Sequence, residues 1–166
     1  MQSSAMAGVA LTLGAPITPI VGHKKPWFEI SLAQWSFHRS LNRQQTPHLD
    51  NLDFARTAKT LGINGVEYVN TFFKTEARDE AYVTRMKQRA DDAGVRSLLI
   101  MVDNEGALGH PNEKERRQAV QNHELWLRSA RQLGCHSIRV NASSQGSRED
   151  QASRAADGLS KLCERA

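Results

Sequence analysis

Apolar residues along this chain recur at helical spacing, give way to short apolar runs, and change period at a glycine. Three segments share this layout: Leu61-Gly62-Ile63-Asn64-Gly65-Val66-Glu67, Ala93-Gly94-Val95-Arg96-Ser97-Leu98-Leu99 and Leu133-Gly134-Cys135-His136-Ser137-Ile138-Arg139. Glycine takes the left-handed conformation that closes a helix, so each segment predicts a helix end followed by a strand. The unit returns at roughly 30–40 residues, the size of one helix plus one strand.

Four inward stripes follow from the spacing: Leu52, Ala55, Ala58 and Leu61; Val83, Met86, Ala90 and Ala93; Ala119, His123, Trp126, Ala130 and Leu133; Ala152, Ala155, Leu159 and Leu162. Each has a start signal. Asp50 precedes Asp53, Asp79 opens the second helix, Asn112 precedes Glu115 and Ser147 precedes Asp150. The strands are predicted over 27–37, which is aromatic and weakly alternating, and over 65–69, 97–102 and 137–140. The third is almost continuously apolar, which predicts a strand covered on both faces.

The order is βαβαβαβα, an α/β chain with parallel strands. Right-handed crossovers can arrange it as a (βα)4 half of a TIM (β/α)8 barrel or as an open doubly wound α/β sheet. The chain has no GxGxxG after its first strand and no P-loop, which lowers the nucleotide-binding form of the open sheet.

The run Phe54-Ala-Arg-Thr-Ala-Lys-Thr-Leu-Gly-Ile-Asn-Gly-Val-Glu-Tyr-Val-Asn70 resembles the first helix and second strand of the xylose-isomerase-like TIM barrels. Those are sugar (phosphate) isomerases and epimerases. Residues 89–103 and 133–141 resemble the third and fourth units, and the likeness extends over about 27–166. It implies a divalent metal ion polarising a carbonyl and hydroxyl pair. Carboxylates would move a proton between adjacent carbons through an enediolate. In that family the ion is held at the ends of strands five to eight. Only four units are present here, so no metal ligand can be assigned, and the chain is expected to be an N-terminal half. The endonuclease IV branch carries histidines at the ends of strands three and four. Met101-Val102-Asp103 and Val140-Asn141 hold none, which argues against it.

Charge changes the picture little. The 166 residues carry a net charge of +4, with Lys and Arg interspersed among Asp and Glu. No basic stripe interleaves with aromatics, so no nucleic-acid partner is expected. Cys135 and Cys163 make no CxxC or zinc spacing and read as two buried free thiols. The first 22 residues have no Lys, Arg, Asp or Glu. Their apolar stretch is too short to span a bilayer. Residues 1–23 therefore read as a clipped signal peptide without its basic start, or as a flexible leader, with the domain at 24–166. The first places the protein outside the cytoplasm, the second inside.

A barrel of this kind keeps its site at the strand C-terminal ends. Five residues qualify for substrate binding: His38, Glu67, Asn70, Asp103 and Asn141. Glu67 interrupts an apolar strand, where a carboxylate needs a partner. It either lines a sugar pocket or pairs with a base such as Arg139. Asn70 and Asn141 end strands, and amides both donate to and accept from hydroxyls; Asn also serves turns. Asp103 opens a Gly-bearing loop, as ligand or as cap. His38 follows the first strand, as a proton shuttle or as a surface residue. Trp35 and Trp126 read as core. The expected partner is a small sugar, bound by part of an isomerase or epimerase. The competing expectation is a non-catalytic binding module that closes a barrel by pairing its open edges with a second copy.

Overall fold

The computed structural model describes residues 27–166. The leader at 1–23 and the proposed domain start at Lys24 therefore lie outside the described residues. The three repeated glycines all take positive φ: 76° at Gly62, 63° at Gly94 and 77° at Gly134. After each one the chain turns back on the helix it has left. Ile63 N–H donates to Ala58 O at 3.0 Å, Val95 to Ala90 at 2.9 Å and Cys135 to Ala130 at 2.9 Å. This is the Schellman closure, with an apolar residue tucked behind each helix end.

The helices are α1 (Phe54–Thr60), α2 (Glu80–Asp92), α3 (Glu113–Leu133) and α4 (Arg148–Cys163). Their start signals act as read. Asp79 accepts from Ala81 N–H at 2.9 Å, Asn112 from Lys114 N–H at 2.8 Å, and Ser147 from Asp150 N–H at 3.1 Å. Asp50 caps a short 3-10 turn, Asn51–Asp53, that leads into α1.

The strands β1 (Leu32–Ala33), β2 (Gly65–Val69), β3 (Arg96–Met101) and β4 (Ser137–Arg139) form one parallel sheet in the order β1-β2-β3-β4. Every crossover steps one place in the same direction. A doubly wound sheet reverses direction at its middle, so the open-sheet alternative falls and the arc of a barrel stands. Consecutive helices pack on one another, α1 on α2, α2 on α3 and α3 on α4, as in the outer ring of a barrel. Val66, Tyr68, Ile100 and Val102 face this layer and meet Phe54, Met86, Trp126 and Leu133 in the main core. A smaller cluster of Leu108, Ala119, Val120 and Leu162 seats α4.

Several expectations are corrected. The first strand is two residues long rather than spanning 27–37, because the backbone turns into a 3-10 helix at Gln34–Phe37. In β3, Ile100 is fully buried, whereas Leu98, Leu99 and Met101 are half-buried, so only the helix-side face is covered among the described residues. β3 carries one more residue than β2 between the pairs Val66–Ser97 and Glu67–Leu99. That residue, Leu98, lies over Gly65, where a Cβ would approach it to 3.0 Å. Leu61 is exposed at the end of α1, and Phe54 takes its place inside. In α4 the packed face is Ala155, Gly158 and Leu162, while Ala152 and Leu159 are exposed. Cys135 is half-buried and Cys163 exposed; both are free thiols. No helix of the described residues is long and apolar enough to cross a membrane.

Candidate functional site at the strand tips

Two side-chain amides prolong the sheet where its backbone ladder stops. Gln34, fully buried, accepts from Val69 N–H at 2.7 Å through Oε1 and donates through Nε2 to Asn51 Oδ1. Asn51 in turn donates to the Tyr82 hydroxyl at 3.1 Å. Asn70, also fully buried, donates to Asp103 O at 2.8 Å and accepts from Asp103 N–H at 3.0 Å. Each amide imitates a peptide group, so the ladder bonds are satisfied although the chain has already turned away. This holds the tips of the first three strands in place and frees the residues beyond them.

On that frame the ends of β2, β3 and β4 converge. Asp103 Oδ1 accepts from Arg139 Nη1 at 3.0 Å and from Asn141 Nδ2 at 3.0 Å. Arg139 also reaches Asn141 Oδ1 at 3.3 Å. Asn70 Nδ2 lies 3.4 Å from Glu105 Oε1, and Glu105 pairs with Lys74 at 2.9 Å. The rim therefore holds two carboxylates and two cations, each engaged by its opposite.

Of the five residues expected here, the structure brings together Asn70, Asp103 and Asn141. Glu67 sits in mid-strand, short of the tip, and accepts from Ser31 Oγ. The alternative pairing of Glu67 with Arg139 does not occur, because Arg139 is committed to Asp103. His38 stands apart on an exposed turn, its Nδ1 2.8 Å from Trp35 O. Arg139, Glu105 and Lys74 were missed as rim residues. Lys74 and Glu105 lie in loops with no local pattern to mark them, whereas the alternation of β4 puts Arg139 on the face opposite Ile138 and could have flagged it.

Beside the rim lies an open groove of about 510 Å³, lined by Trp35, His38, Arg43, Phe72 and Lys74 among others. Trp35 is 43% exposed and so is not the core residue its apolar character predicts. Its ring meets Phe72 edge to face at 5.7 Å. Arg43 pairs with Glu76 at 2.6 Å, and that hydrogen bond raises the guanidinium pKa further. Two larger hollows, of about 660 and 610 Å³, lie at the opposite strand ends around Gly134 and His136. They are remote from the convergent polar groups. Burial there pushes the Cys135 thiol up to about 12, which makes it a poor nucleophile. His123 and Trp126 are buried packing residues as expected, with His123 Nδ1 2.7 Å from Ala119 O.

Among the described residues no three His, Cys, Asp or Glu side chains gather as a metal site. The resemblance places the divalent ion on strands five to eight, and the rim carboxylates Asp103 and Glu105 are engaged by Arg139 and Lys74 instead.

A sequence family described as a xylose isomerase-like TIM barrel matches residues 55–166. Among solved structures, 3-keto-D-glucoside 4-epimerase from E. coli in its apo form is similar at a TM-score of 0.58 and 19% identity, over 74% of this chain and 49% of that one. D-psicose 3-epimerase in the presence of D-fructose is similar at a TM-score of 0.63 and 12% identity, over 83% of this chain and 50% of that one. The chain thus spans about half the length of these structures, and at these identities the likeness concerns the fold. None of the curated proteins matches it by sequence.

Proposed function

The chain belongs to the xylose isomerase-like TIM barrel family, and from that premise we propose that its strand-tip rim binds a sugar for isomerisation or epimerisation. The observation that carries this reading is the convergence of Asn70, Asp103, Arg139 and Asn141 from three successive strands. Amides and a guanidinium beside a carboxylate offer closely spaced donors and acceptors, which is what vicinal hydroxyls require. The two solved structures described above are sugar epimerases by name. Among the described rim residues, the pairing of Lys74 with Glu105 and of Arg139 with Asp103 leaves no cation over. That balance suits a neutral sugar better than a sugar phosphate, whose dianion needs uncompensated donors. The role assigned to this chain is binding and orientation. Moving a proton between adjacent carbons needs a base within reach of the C–H, and no group described here is given that role.

A second reading, a sugar-binding module without chemistry of its own, is favoured by one feature: each carboxylate near the site is already engaged, Asp103 by Arg139, Glu105 by Lys74 and Glu67 by Ser31. Self-association would run through β1 and β4, which present edges of only two and three residues. Such short edges template pairing poorly.

The test is saturation-transfer NMR on the 166-residue chain with D-fructose, D-glucose and their 6-phosphates. Neutral hexoses are expected to bind, the phosphates to gain nothing, and Asn141→Ala and Asp103→Ala to weaken binding about tenfold. Absence of hexose binding, or binding indifferent to both variants, overturns the reading.

A further inference from the structure

The groove next to the rim has a composition that the rim's own task does not explain. An indole with much of its surface in water is held against Phe72 at an interplanar angle of 73°, with the His38 ring 6.3 Å away. Burial would gain free energy for so large an apolar ring, yet this one is held open. It is also held in place. Trp35 lies in the Gln34–Phe37 turn, and the buried amide of the preceding Gln34 ties that turn to β2 and to Asn51. Phe72 sits in the Asn70–Phe73 turn, whose first residue is locked to Asp103. Two buried amides thus position the two rings of one platform.

Groove and rim adjoin at Lys74. Asn70 leads directly into Thr71 and Phe72, and Lys74 lines the groove while pairing with Glu105 beside Asn70. A volume of about 510 Å³ lies within the range of small-molecule pockets, and none of Asn70, Asp103, Arg139 and Asn141 lines it. The lining pairs an aromatic face with Arg43, Lys74 and Glu76, Arg43 being paired with Glu76 and Lys74 with Glu105 of the rim. Flat apolar surface fringed by charge-balanced hydrogen-bonding groups suits an uncharged ring with an apolar face and a polar edge.

We propose that this groove is a second ring subsite: the ligand is a glycoside, with one sugar on the rim and the ring across its glycosidic oxygen stacked on Trp35. The inference rests on the rim's binding a sugar. The second ring is either another pyranose, which offers its C–H face, or an aromatic aglycone; both present an apolar ring face through the same oxygen.

Calorimetric titration of the chain with D-glucose, methyl β-D-glucoside, cellobiose and phenyl β-D-glucoside tests it. At least one two-ring ligand is expected to bind about tenfold more tightly than D-glucose. Cellobiose leading marks a sugar in the groove, and phenyl glucoside leading marks an aglycone. Trp35→Ala should remove that advantage and leave D-glucose binding as it was, whereas Trp35→Phe should keep most of it. Asn141→Ala on the rim should weaken all four ligands together. Equal affinity for one and two rings, or an advantage that survives Trp35→Ala, overturns the subsite. A two-ring advantage that depends on Trp35 and ignores Asn141→Ala would refute the rim reading and leave the groove standing. Failure of every ligand to bind refutes both. Circular dichroism of each variant guards against misfolding, and if Trp35→Ala does not fold, Trp35→Leu, which keeps an apolar side chain without a flat ring face, should remove the advantage instead.

Discussion

Replacing Asn70 by alanine removes the link between the ends of β2 and β3 without touching any of the four α-helices. The side chain is fully buried and makes two bonds to one peptide unit, at 2.8 Å to Asp103 O and 3.0 Å from Asp103 N–H. Its third contact, at 3.4 Å to Glu105, is long and adds little. Two net hydrogen bonds contribute about 2 kcal/mol, and partners left partly dry raise the cost to about 2–4 kcal/mol. Asp103 is half-buried, so water reaches part of the vacated peptide and the lower half of that range is expected. Urea unfolding followed by far-UV circular dichroism measures the loss, with an unchanged m-value showing that the folded state is otherwise intact. Hydrogen exchange gives the local readout: the Asp103 amide should exchange at least about tenfold faster, while Ile100 in mid-strand follows global stability. Asn70→Asp keeps the acceptor for Asp103 N–H, loses the donor and brings a negative charge beside Glu105; it should cost at least as much as alanine. A change below about 0.5 kcal/mol for Asn70→Ala, with Asp103 exchange unaltered, would show that the amide does not carry the strand tip.

Gly158 offers a test in which propensity and packing oppose each other. Alanine in a helix interior normally gains about 1 kcal/mol over glycine, but a Cβ here would stand 1.8 Å from the Leu108 carbonyl oxygen. Gly158→Ala should therefore destabilise by about 2 kcal/mol or more in thermal or urea unfolding; a stabilised protein would show that α4 does not approach that loop. The thiols should separate cleanly. Cys163 is exposed, while burial raises Cys135 to about 12, so at pH 8 an aromatic disulfide reagent should modify one thiol rapidly and the other at least about a hundredfold more slowly. Two thiols reacting at one rate would contradict the packing around Cys135.

Much of the scaffold was legible in the sequence because local chemistry decides it. Gly62, Gly94 and Gly134 end helices by backbone sterics, and Asp79, Asn112 and Ser147 start them by side-chain capping; neither needs a distant partner. The stripes of α2 and α3 were legible for the same reason. Errors arose where a distant group competes with the local pattern. Residues 27–37 alternate like a strand, yet Gln34 finds Val69 and Asn51, and the backbone turns to let it reach them. The face of α4 could not be chosen from spacing alone, since a close backbone approach at Gly158 sets its rotation.

At the site, the sequence determined which residues stand at strand ends: Asn70, Asp103 and Asn141 were identified from position and type. Their partners were decided by the parallel register. That register sets Met101 beside Arg139 and so delivers the guanidinium to Asp103 instead of Glu67. The order of the strands, which separates a barrel arc from a doubly wound sheet, was likewise invisible until the sheet was assembled. Short-range periodicity encodes which face of an element is apolar. It holds no record of which element lies next to which, or of which charged tip meets which across a gap of more than thirty residues, such as the 36 between Asp103 and Arg139.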